Sequence, residues 1–125
     1  MRCGGSRSAR DDIGNTLVTK QTMWKHTTHM SEIIEASEKQ PVVIFKFSAT
    51  CGSSERLRQQ FEEKMQEKKI RHPVFLVTVQ KEAALSRKIA DWFSVRHESP
   101  QVLLIHRGAI LYTAHHSNID LARLA

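Results

Sequence analysis

The chain has 125 residues, 40% of them hydrophobic and 26% charged, and a formal charge of +6 at pH 7. This is one domain of ordinary globular composition. No stretch nears the about 18 apolar residues of a membrane span, and two cysteines, Cys3 and Cys51, are too few for a disulfide scaffold.

The excess charge is spread along the chain. Residues 1–22 hold four basic and two acidic side chains. No Lys/Arg block with interleaved aromatics appears, so nothing specific points to nucleic acid. A mild positive field suits small anions such as carboxylates or phosphates.

The opening Met1–Arg10 is polar, Gly/Ser-rich and without an apolar core, so it does not read as a secretory signal. Residues 1–21 are expected to form a disordered tail, with 22–125 as the domain, and cytoplasmic residence follows as the expectation. Cys3 reads as incidental, with a mobile second thiol as the other possibility.

Residues Thr22 to His26 form a weak strand candidate. Ser31 to Ser37 carries Ile33, Ile34 and Ala36 and predicts a short helix, opened by Thr27 or Thr28. After Pro41, the β-branched and aromatic run Val42–Phe47, interrupted only by Lys46, predicts a buried strand. Ser54 to Lys69 repeats Leu57, Phe61 and Met65 at helical spacing. Pro73 precedes a strand over Val74–Val79. Ala83 to Phe93 predicts a helix with Leu85, Ile89, Trp92 and Phe93 inward. Pro100 precedes a strand over Gln101–Ile105, and Arg107-Gly108 turns it into a hairpin partner over Ala109–Ala114. Ser117 or Asn118 then caps an expected last short helix.

Early strand–helix alternation implies parallel strands with right-handed crossovers, and the closing hairpin adds an antiparallel edge. The fold class is α/β: a thioredoxin-like mixed sheet flanked by helices, in one domain.

Cys51 falls where a buried strand ends and a helix begins. Unpaired N–H groups and the positive end of the helix dipole favour a thiolate there. Cysteines so placed have pKa values of roughly 3.5–7.5, against about 8.5 when free. The alternative is an inert core cysteine. Its neighbours Thr50, Gly52, Ser53 and Ser54 are small and polar, which favours a nucleophile.

Three residues on stands Ser54, where a dithiol site has its second cysteine. A hydroxyl cannot resolve a mixed disulfide, so the site reads as monothiol. Ser99-Pro100, before a strand, is a candidate cis bond whose Ser99 backbone would pair with an incoming disulfide; the alternative is a trans proline that merely starts the strand. His116, Ser117 and Asn118 open the last expected helix. They either hold an anion, such as a carboxylate of a small thiol, or simply cap it. The histidines show no ligand-spaced Cys/His set, so no metal is expected.

These segments, Phe45-Lys46-Phe47-Ser48-Ala49-Thr50-Cys51 with Ser54, Val95–Val102 with its Arg96-His97-Glu98-Ser99-Pro100-Gln101 core, and Ala114-His115-His116-Ser117, resemble the YtxJ family of monothiol bacilliredoxins. The likeness covers about residues 22–125. It implies a thioredoxin-like fold and a cytoplasmic enzyme that removes bacillithiol, or another low-molecular-weight thiol, from mixed disulfides on bacillithiolated partner proteins. It implies Cys51 as nucleophile, Ser54 in the serine position and Pro100 as the cis proline. Thr50, Gly52, Ser54, Ser99, Pro100, His116, Ser117 and Asn118 are the candidate substrate contacts, with Arg96 beside them. Two positions depart from the family pattern: Gly52 replaces a proline, and His115 replaces a small residue. Cys51-Gly52-Ser53-Ser54 also resembles the Cys-Gly-Phe-Ser signature of monothiol glutaredoxins, which hold a [2Fe–2S] cluster, with Ser53 in place of the phenylalanine. A redox-silent interaction domain is a third reading of the same fold.

Overall fold

Every residue of Val42–Phe47 is buried, and this strand organises the rest. The computed structural model describes residues 24–50 and 52–125. The tail expected over 1–21, Cys3 and the placement of Cys51 itself lie outside them.

Among the described residues, five strands and three α-helices follow the expected order as far as the closing hairpin. They are β1 (Trp24–Lys25), α1 (Met30–Lys39), β2 (Val42–Phe47), α2 (Gly52–Gln66), β3 (Val74–Thr78), α3 (Ala83–Phe93), β4 (Gln101–His106) and β5 (Ala109–His115). The sheet order is β1-β3-β2-β4-β5. β1 and β2 both run parallel to β3, while β4 is antiparallel to β2 and to β5. The fold class read from the sequence holds. Among the described residues, no helix is long and apolar enough to cross a membrane.

β2 is buried on both faces, so it reads as a continuous apolar run rather than an alternation. Val43, Phe45 and Phe47 enter one core with Phe61 of α2. Val42 and Ile44 enter the other, with Ile33 of α1 and Leu85 and Ile89 of α3. Phe61 stacks on Phe45 with ring centroids 4.7 Å apart, and Trp24 packs against both. Burying such rings stabilises by about 1.5–3 kcal/mol each, and this contact seats α2 on the sheet. The Trp24 indole N–H donates to Glu62 Oε2 at 2.9 Å, so the ring is buried with its polar atom satisfied.

Three local expectations are corrected. α1 starts at Met30 with His29 as its flanking residue, not at a Thr27 or Thr28 cap. The Thr27 hydroxyl instead accepts from the His29 N–H and donates to Glu32. Trp92 does not face inward: it is 59% exposed, and Ser86 and Ala90 fill the buried stripe beside Leu85 and Ile89. The last helix is not an α-helix. His116–Asn118 and Leu121–Leu124 form two 3-10 turns, and the side-chain cap is Asp120, which accepts from the Ala122 N–H. Extended backbone at Ile119 and Asp120 divides the stretch into these two short turns.

Candidate active site

The C-terminal ends of β2, β3 and β5 and the N-terminal end of β4 lie at one end of the sheet. The pairing of Lys46 with Gln101, Phe47 with Thr78 and Gln101 with His115 requires this. The segments 48–50, 79–82, 96–100 and 116–118 therefore emerge together. Every described site residue nominated from the sequence lies on one of them or in the first turn of α2.

α2 starts at Gly52, directly after Cys51 in the chain. The first turn of this 15-residue helix carries free N–H groups and a positive potential. Gly52 is exposed, and a β-carbon there would meet nothing within 4 Å. Neither a tight turn nor a close approach thus calls for glycine at this position. Ser54 is fully buried, and its Oγ has no hydrogen-bond partner among the described residues. Ser99 Oγ and Gln101 Oε1, at the same sheet end, are also buried and unpartnered among them.

The segment before Cys51 is held by Gln80, which sequence reasoning missed. The Gln80 side-chain amide donates to Ser48 Oγ at 2.8 Å and to Thr50 Oγ1 at 3.3 Å, while its Oε1 accepts from the Ala49 N–H at 3.0 Å. Ser48 Oγ and Thr50 Oγ1 lie 3.3 Å apart. One side chain from the β3–α3 connection thus fixes three consecutive residues. A glutamine some thirty positions away gives no local signal of this.

Lys46 was also missed, read only as an interruption in an apolar strand. It is fully buried. Its ammonium lies 3.4 Å from His97 Nδ1, which is 3.1 Å from Ser86 Oγ. Loss of water pushes the Lys46 pKa down to about 8. Partial burial, and then the Lys46 charge, hold His97 below its ordinary value. A neutral His97 can accept from Lys46 at Nδ1, which accounts for the tolerated cation.

The Ser99-Pro100 bond is cis, as the sequence reading anticipated. Pro100 is buried, and its carbonyl accepts from the His116 N–H at 3.0 Å. His116 has a left-handed backbone, φ 54°, uncommon for a residue with a β-carbon. Its Nε2 lies 3.0 Å from Glu98 Oε1, and this hydrogen bond holds the Glu98 carboxyl below its ordinary value. Ser117 and Asn118 are exposed, and the Asn118 carbonyl accepts from Tyr112 Oη at 3.4 Å. The structure therefore brings Ser99, Pro100 and His116 together, and separately Thr50 with the Gln80 clamp. Because 116–118 is a 3-10 turn, the helix-dipole argument for an anion there does not apply.

A helix that starts directly after a cysteine in the chain and a cis-proline loop, at one end of a mixed five-stranded sheet, define a thioredoxin-fold thiol oxidoreductase. A solved structure described as a candidate oxidoreductase with a thioredoxin fold is similar to this chain. It has 25% identity and a TM-score of 0.71, over 84% of this chain and 92% of that one. Mitochondrial thioredoxin 3 from Saccharomyces cerevisiae (12% identity, TM-score 0.60, 76% and 85% covered) shares the fold. So does thioredoxin O2 from Arabidopsis thaliana (19%, 0.60, 83% and 90%). The chain belongs to the monothiol bacilliredoxin family BrxC, whose profile matches residues 16–124.

Lys46 and Gln80 each generate a prediction. The unfolded chain keeps the Lys46 proton up to about 10.5, whereas the folded protein releases it from about 8. Between those values the unfolded state binds more protons, so stability rises with pH there. Lys46→Met should be more stable than the parent by about 1–3 kcal/mol at pH 7. That gain should shrink toward pH 10, read as the difference between urea unfolding curves. Gln80→Ala should cost about 1–2 kcal/mol. Hydrogen exchange should show lost protection at the Ala49 amide while β2 stays protected.

Proposed function

We propose that this protein is a cytoplasmic monothiol disulfide reductase that strips bacillithiol, or a related low-molecular-weight thiol, from mixed disulfides on other proteins. Membership of the monothiol bacilliredoxin family across residues 16–124 carries this reading. Serine, rather than cysteine, three residues after Cys51 supports the monothiol step.

The Cys51 thiolate attacks the bacillithiol-side sulfur of a protein mixed disulfide. The existing S–S bond breaks, and the protein thiolate leaves and takes a proton. Cys51 then carries bacillithiol in a new disulfide. A second low-molecular-weight thiolate attacks the bacillithiol sulfur of that adduct, giving the symmetrical thiol disulfide and restoring the Cys51 thiolate. Electrons come from that second thiol. Ser54 provides no internal exit, so the adduct persists until an outside thiol arrives.

Several surroundings support the assignment. The α2 start favours a thiolate. The buried Lys46 ammonium, five residues upstream of Cys51, adds positive potential to this end of the sheet. Thr50 and Gly52 border the nucleophile in the chain, and Ser99 and Pro100 form the docking edge for the substrate disulfide. Arg96, His116, Ser117 and Asn118 are exposed and suit the carboxylates of the small thiol.

Alkylation of Cys51 against pH should reach half its maximal rate well below the free-cysteine value of about 8.5. A midpoint at or above it ends the proposal. Incubation with bacillithiol disulfide, followed by peptide mass spectrometry, should place one adduct on Cys51 and none in Cys51→Ser. In Ser54→Cys the adduct should be short-lived, replaced by a disulfide between positions 51 and 54 with release of the small thiol. An equally persistent adduct in that variant would mean that the serine is not what makes the site monothiol.

A further inference from the structure

We infer that Glu98, His115 and His116 form a site for a divalent transition ion of the zinc class beside the cis-proline loop. One carboxylate oxygen and one nitrogen from each imidazole all lie within 4.8 Å of one another. His116 Nε2 and Glu98 Oε1 are already 3.0 Å apart. The two imidazoles meet edge to face, ring centroids 5.4 Å apart. Donors around a tetrahedral ion with bonds of about 2.0–2.1 Å stand roughly 3.4 Å apart. The most widely separated donors need close by no more than roughly 1.5 Å to reach that spacing. His115 and His116 are exposed and Glu98 half-buried, so they have room to do so.

The donor set selects the ion. Two imidazoles and one carboxylate suit zinc, nickel or copper(II) and are too nitrogen-rich for magnesium or calcium. Three protein ligands leave one position open, as in accessible zinc sites. Backbone contacts give the site a frame: the His116 N–H is tied to the Pro100 carbonyl, and His115 pairs with Gln101 in the sheet. A bound ion would therefore bridge the segment entering the cis proline to the end of β5. The inference does not depend on the disulfide chemistry proposed for Cys51.

The test uses the full chain without a histidine tag, with Cys3→Ser and Cys51→Ser both introduced so that thiols cannot bind the metal. Zinc chloride is titrated in competition with a chromophoric chelator, and cobalt(II) chloride is added in parallel for its d–d spectrum. One equivalent should bind, with cobalt bands of low-symmetry nitrogen and oxygen ligation and shifted His115 and His116 ring resonances. Zinc should also raise the melting temperature in proportion to the logarithm of its concentration, reversed by a chelator. His115→Ala and Glu98→Gln should each weaken binding by at least roughly tenfold. Circular dichroism of both variants would establish that they remain folded. Absence of binding, or undiminished binding in His115→Ala, overturns the inference. So does binding in the parent chain that vanishes when the cysteines are removed, because the ion would then sit on thiolates.

Discussion

The antiparallel pairing of β2 with β4 determines where everything else can go. Lys46 stands opposite Gln101, so the chain leaves β2 toward Cys51 at the same sheet end where it enters β4 through Pro100. β3 runs parallel to β2 and ends there too, delivering Gln80. β5 runs antiparallel to β4 and delivers His115 and His116. Both strands of the central pair are almost wholly buried. A slip of one residue would exchange the two cores and turn Lys46 to the other face, so this register is strongly specified. The site is a consequence of the pairing more than of any single loop.

Much of the fold was legible in the sequence because strands buried on both faces leave an unmistakable run of β-branched and aromatic residues. The helices were legible from their apolar spacing, and the cis proline only from its place before such a strand in combination with Cys51. What was misread has a physical cause in each case. Trp92 falls on the expected helical face, but a stripe filled by Leu85, Ser86, Ile89 and Ala90 is already wide enough. Ser117 and Asn118 resemble helix caps, yet extended backbone at Ile119 and Asp120 interrupts the stretch that follows them. Lys46 looked like a break in the core because its partner, His97, lies fifty-one positions further on. The Gln80 clamp and the grouping of Glu98 with His115 and His116 are likewise products of topology.

The polar groups at this sheet end differ in how well they are satisfied. Lys46, His97 and Ser86 share contacts, and Gln101 donates to the Arg96 carbonyl at 2.9 Å. Ser54 Oγ, Ser99 Oγ and Gln101 Oε1 are buried and lack partners among the described residues. Such atoms are costly where nothing meets them, and they concentrate where a protein gives up stability for chemistry. Membership of the monothiol bacilliredoxin family gives that concentration a reason.

The two tryptophans occupy opposite environments. Trp24 is enclosed by Phe45 and Phe61, and Trp92 stands on the outer side of α3. Their fluorescence should therefore separate into a blue-shifted component shielded from iodide and a red-shifted one open to it. The molecule carries its own optical label for core integrity, and a second for anything that settles on the α3 surface.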